Sequence, residues 1–268
     1  MEARWSEAGK IDDAPVGAVL SYWLHDEPKG ELSLELSDAS GKVVRTLSSV
    51  PKPPRFAEDD PDEPTKPAEP ELTRDQGFNR IAWDLRHREP RRLEKAKTDI
   101  GNPEIAPMVA PGTYHAKLTV DVGLPSAASV TADVVVVADP RLAASAADLA
   151  ANVDFSLGIR DAMDRTLDLI DNVRATREQV VDLGKRLGTD AARKHLVEQA
   201  AALAKRCDEI EARLHNPKAE VVYDILAFKG GAKLYSRLGP LYSFVVENDG
   251  VPTHGMREVY ASQKAELE

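Results

Sequence analysis

Val130-Thr131-Ala132-Asp133-Val134-Val135-Val136-Val137-Ala138-Asp139-Pro140-Arg141-Leu142-Ala143-Ala144-Ser145-Ala146-Ala147-Asp148 is the stretch where the chain changes its pattern. Before Pro140 the apolar residues recur with period two, and beyond it they recur every three or four positions. Val134 to Val137 is too apolar for a strand exposed on both faces, so it predicts a strand covered on at least one. Pro140 carries no amide hydrogen and marks the switch. Ser145 and Asp148 form a capping box in its Asp variant, which opens a helix. The predicted fold class is α+β in two segregated domains. An all-β sandwich over residues 1–140 precedes an all-α antiparallel helical bundle over 141–268.

Upstream of the switch, six or so short strands are legible. Ala18 to Leu24 is a β-rich run closed by the turn cluster from His25 to Gly30. Leu32, Leu34 and Leu36 alternate with polar residues, and the connection Asp38-Ala39-Ser40-Gly41 returns the chain through Lys42 to Leu47. Asn79 to Leu85 and Gly112 to Val120 follow, before the strand that ends at Val137. Trp83 alternates inward with Ile81 and Leu85, which predicts a core side chain. Such spacing predicts an antiparallel sandwich.

Two long connections interrupt it, one of them the Pro-rich, acidic loop assigned to 51–77. Prolines and the run Glu58-Asp59-Asp60-Pro61-Asp62-Glu63 predict an extended, solvated loop there, with calcium binding as the sharper alternative. The second connection, Arg86 to Ala110, opens with Arg86, His87, Arg88, Arg91 and Arg92. It reads as a charged surface loop, or more sharply as a surface for an anion or a partner.

Downstream, Ile159, Met163, Leu167, Ile170, Val173 and Val180 predict a long helix ending at Leu187 before Gly188. A second helix, beginning near Asp190, places Leu196, Ala200, Leu203, Cys207, Ile210 and Leu214 at alternating steps of four and three. That spacing is the seam of an antiparallel hairpin or coiled coil. It predicts a cost of about 2–5 kcal/mol for Leu203→Ala if Leu203 is buried, and a buried, unreactive Cys207. A third apolar segment, Val221 to Val246, contains Gly230-Gly231 and Gly239-Pro240, where a kink or break is expected. Thr253 is placed to cap a last helix.

The 268 residues, 42% of them hydrophobic, can fill one large or two ordinary domains, and no run reaches the ~18 apolar residues of a membrane-spanning helix. A net charge of −10 argues against a nucleic-acid partner. The first residues lack the basic and apolar regions of a signal peptide. The single cysteine excludes an internal disulfide. None of the six histidines belongs to a short metal-binding motif, and there is no nucleophile elbow or phosphate-binding glycine loop. No catalytic, cofactor-binding or metal-binding residue is therefore assigned. Trp23, His25, Arg86, His87, Arg91 and Arg92 remain the candidate partner or glycan surface. Leu196, Leu203, Cys207, Ile210 and Leu214 remain the helix seam, within the chain or between copies.

The order Asp38-Ala39-Ser40-Gly41-Lys42-Val43-Val44-Arg45-Thr46, then Gly77-Phe78-Asn79-Arg80-Ile81-Ala82-Trp83-Asp84, then Pro111-Gly112-Thr113-Tyr114 resembles the immunoglobulin-like module of flagellar hook-cap and bacterial surface proteins. That module, followed by Ala138-Asp139-Pro140-Arg141, a long helix and a helical hairpin, resembles the C-terminal region of bacterial sortilin-like, BNR-repeat β-propeller proteins often labelled glycosyl hydrolases. The passages Gly239 to Tyr242 and Asp249 to Thr253 fit that region too. The resemblance implies a non-catalytic accessory region without a cofactor. It would pack on or tether a propeller in cis or in trans, or mediate oligomerisation, in a secreted or periplasmic setting. The Asp-box repeats of the propeller are absent, so no catalytic residue is carried over, and any hydrolase label would belong to the missing propeller. A carbohydrate-binding module presenting Trp23, Tyr22 or His87 is the alternative. A hydrolase built on the Arg86–Arg92 loop with His25 or Asp26 ranks below both.

Overall fold

The computed structural model describes residues 17–51, 71–93, 96–97, 105–188, 191–226 and 228–268. The acidic run at 58–63, most of the proline-rich loop and Asp190 lie outside the described residues. The chain divides into two compact units, Met1–Arg86 with Gly112–Val136, and His87–Pro111 with Val137–Glu268.

The first unit holds six strands: β1 (Ala18–Leu24), β2 (Ser33–Asp38), β3 (Val43–Ser48), β4 (Gly77–Trp83), β5 (Gly112–Val120) and β6 (Ala128–Val136). β1 pairs with β4, and the other four form an antiparallel sheet in the order β3-β2-β5-β6. Gly41, at φ +85°, turns the β2–β3 hairpin, and its amide donates to the Asp38 carbonyl at 2.9 Å. Leu34 and Leu36 of β2, Val44 and Leu47 of β3, Ile81 and Trp83 of β4, and Tyr114, Ala116 and Leu118 of β5 are buried. Trp83 meets Tyr114 edge-on at 5.5 Å, and its indole N–H donates to the Arg86 carbonyl. Leu85 does not continue β4; it turns the chain at φ +59°.

β6 departs from the sequence reading. The core face of β5 is buried, yet β6 beside it is exposed over Ala128 to Asp133 and only half-buried at Val134 and Val136. Val130, Val135 and Val137 are 64%, 69% and 78% exposed, so the valine run is not covered as expected. The physical reason is position: among the described residues β6 is an edge strand of its sheet, and the fully buried apolar layer stops at β5.

The second unit holds α1 (Ala146–Leu187), α2 (Lys194–Leu214), α3 (Val222–Leu226), α4 (Leu234–Val246) and α5 (His254–Leu267). α1 runs 42 residues, about 60 Å at helical rise. Ser145 and Asp148 close a capping box at its start, and Gly188 ends it at φ +67°. Ile159, Met163, Leu167 and Ile170 of α1 pack with Leu234, Leu238, Tyr242 and Val245 of α4 and with Leu267 of α5. Gly230 and Gly231, at φ +101° and +71°, break the third apolar segment as expected. Gly239-Pro240 does not: α4 continues through it, because Leu238, Leu241, Tyr242 and Val245 are all buried and tertiary packing outweighs the missing amide.

Candidate interaction surface

Of the six residues read as a partner or glycan surface, Trp23, His25 and Arg86 lie in the first unit and His87, Arg91 and Arg92 in the second. The expected charged loop from Arg86 to Ala110 is, from His87 onward, part of the helical unit rather than a connection within the β half. The cause is a ladder of acids on α1. Asp161, Asp164, Asp168 and Asp171 recur at three- and four-residue steps and so share one face. Arg88 reaches Asp164 at 2.6 Å, while the Arg91 guanidinium bonds Asp168 and lies 3.1 Å from Asp171. The Arg91 amide donates to the Asp164 carboxylate at 2.7 Å. These carboxylates, foremost Asp168, hold the Arg91 guanidinium more firmly protonated than usual.

α4 secures the rest of the segment. The Leu93 amide donates to the Tyr235 hydroxyl, and the Ser236 and Tyr242 hydroxyls donate to the Lys97 and Ile105 carbonyls at 2.7 Å each. His87 is buried, and its amide donates to the Pro107 carbonyl. Arg88 and Arg91 therefore fasten a segment onto the bundle. The signal that could have found this is the spacing of the four aspartates, which matches the helical period opposite an arginine-rich segment.

The seam on α2 splits in two. Ala200, Cys207 and Leu214, seven residues apart, are buried, and a methyl added at Gly184 of α1 would meet the Ala200 methyl in ordinary van der Waals contact. Arg174 pairs with Glu211 and Arg177 with Asp208 along the same hairpin, an antiparallel arrangement. Leu196, Leu203 and Ile210 form the second heptad-spaced row and are 40%, 45% and 39% exposed. The expectation that Leu203 is buried is corrected. No residue of α1 beyond Ile170 is buried, and among the described residues the hairpin leaves the second row partly exposed. A groove of ≈ 520 Å³ along the hairpin is walled by Arg174, Arg177, Asp182, Lys185, Asp208 and Glu211. Arg174 and Arg177 already face Glu211 and Asp208 across it.

The outer face of β1 and β4 carries a second exposed group. Trp23 and Phe78 are direct cross-strand partners, 71% and 60% exposed, and the Arg80 guanidinium lies over the Phe78 ring at 5.6 Å. Tyr22 points the other way and its hydroxyl donates to the Thr73 carbonyl at 2.6 Å, so it is not part of this face. The His25 side chain is 94% exposed, with Asp26 at 4.0 Å from its ring.

Among the described residues no three His, Cys, Asp or Glu side chains form a group that could hold a metal ion, and no helix is long and apolar enough to cross a membrane. The chain matches no family model, no curated protein and no solved structure.

Proposed function

We propose that this chain is a non-catalytic accessory region that docks onto another protein surface through its α1–α2 hairpin. The observation that carries the reading is the row Leu196, Leu203 and Ile210, heptad-spaced and about 40% exposed beside a buried row on the same helix. The resemblance of the sequence to the C-terminal region of sortilin-like, BNR-repeat proteins makes a β-propeller, in cis or in trans, the proposed partner and a secreted or periplasmic setting the proposed location. The two antiparallel sheets, the Gly41 hairpin and the buried Trp83 support an immunoglobulin-like reading of the first unit. The test is a photo-crosslinking residue at position 203, introduced in the source cells, with the product identified by mass spectrometry. A crosslink to a propeller polypeptide is expected. A product joined to no other domain or chain overturns the reading.

A second reading, a carbohydrate-binding module, is favoured by the exposed Trp23–Phe78 pair beside Arg80. Flat aromatic faces with a hydrogen-bonding cation suit a sugar ring. Calorimetry against a glycan panel decides it, with Trp23→Ala abolishing any binding that this face provides.

A further inference from the structure

Edge strands of soluble proteins are ordinarily blunted by lysine, proline, a bulge or short length, because their free backbone groups template further pairing. β6 has none of these. It is nine residues long and contains no Lys, Arg, Pro or Gly, and its register with β5 is unbroken from Gly112↔Val136 to Val120↔Ala128. The opposite edge is different: the β2–β3 pairing is interrupted by a register shift at Leu36/Ser37. The one charge on β6, Asp133, is engaged across the strand by His115 Nδ1 at 2.7 Å. Each face of β6 carries exposed valine, Val130 at 64% on one and Val135 at 69% on the other, with Val134 and Val136 half-buried.

We propose that β6 pairs antiparallel with β6 of a second copy of this chain about a two-fold axis at Ala132. The choice of occupant follows from what this register sets opposite what. On the face shared with the β5 core residues, Val130 meets Val134 of the second copy and Ala128 meets Val136. On the other face Thr131 meets Asp133, a hydroxyl able to donate to a carboxylate. Every pairing off the axis occurs twice and Ala132 meets its own copy, as a two-fold interface requires, and no like charges oppose each other although each chain carries a net charge of −10. Moving the axis one residue to Asp133 would set two carboxylates face to face. The result is one continuous antiparallel sheet in the order 3-2-5-6-6-5-2-3. This surface is independent of the α2 row.

Sedimentation velocity and disulfide trapping on the full chain test the proposal. The wild-type chain is expected to sediment as a dimer, and Ala132→Lys, which sets two ammonium groups opposite each other, to sediment as a monomer with unchanged circular dichroism. Ala132→Cys is expected to trap a disulfide dimer under mild oxidation, whereas Ala128→Cys and the wild-type chain, whose Cys207 is buried, stay unlinked. Leu203→Glu is expected to remain dimeric. A monomeric wild-type chain, or a dimer that survives Ala132→Lys, overturns the β6 pairing and leaves the docking role of α2 standing. A dimer dissolved by Leu203→Glu and not by Ala132→Lys overturns it too, and assigns self-association to the hairpin.

Discussion

Trp83, Tyr242 and His215 show how single side chains set the two units. Trp83 is 1% exposed and joins packing to a hydrogen bond, so Trp83→Ala is expected to cost about 3–5 kcal/mol in urea unfolding of the β unit. Tyr242→Phe keeps the packing but strips the Ile105 carbonyl of its donor, for about 1–2 kcal/mol. His215 is buried at the end of α2, and its Nδ1 has no hydrogen-bond partner among the described residues. Burial, and then the Arg174 charge, push its pKa below the ordinary 6.5, while Glu211 opposes them. The unfolded chain therefore takes up a proton at a pH where the native chain does not. Stability is unaffected well above 6.5 and declines as pH falls through that value toward the lower native pKa. Thermal melts of wild type and His215→Gln between about pH 8 and pH 5 check this, with the variant losing less stability over the range.

At the scale of the element, the α2 seam was legible as a heptad pattern, but a pattern cannot say how many helices cover it. Ala200 and Cys207 are buried along the hairpin with α1, and Leu214 joins the core shared by α1, α4 and α5; the second row would need another helix or a partner. Leu214→Ala, at 8% exposure, is expected to cost about 2–5 kcal/mol, and Leu203→Ala, at 45%, no more than about 1 kcal/mol by the same denaturation. The capping box at Ser145 and the Gly188 stop were readable because caps are local chemistry. The survival of α4 through Gly239-Pro240 was not, because burial of residues on both sides decides it.

At the scale of the whole molecule, the division between units does not follow the chain. His87–Pro111 leaves the β half and joins the helices before the chain returns to β5. Asp164 is the central acceptor of that junction, so Asp164→Ala is expected to cost about 1–3 kcal/mol by freeing the Arg91 amide and the Arg88 charge. Arg91→Ala, whose side chain is 46% exposed, is expected to cost no more than about 1 kcal/mol. Unfolding of the helical unit followed by helical circular dichroism measures both. The candidate surface divides the same way. The α2 row and Trp23 were named from sequence, whereas Phe78 became Trp23's partner only through the β1–β4 register.

The sequence by itself determined the α+β class, the antiparallel strands, the helix caps and the inward Trp83, because period, turn chemistry and capping act over a few residues. Tertiary structure alone decided that β6 lies uncovered at an edge, that Leu203 faces outward while Cys207 does not, and that the arginine segment fastens to α1. Each depends on which neighbours arrive from far along the chain, and neighbours, not local pattern, set burial and pairing.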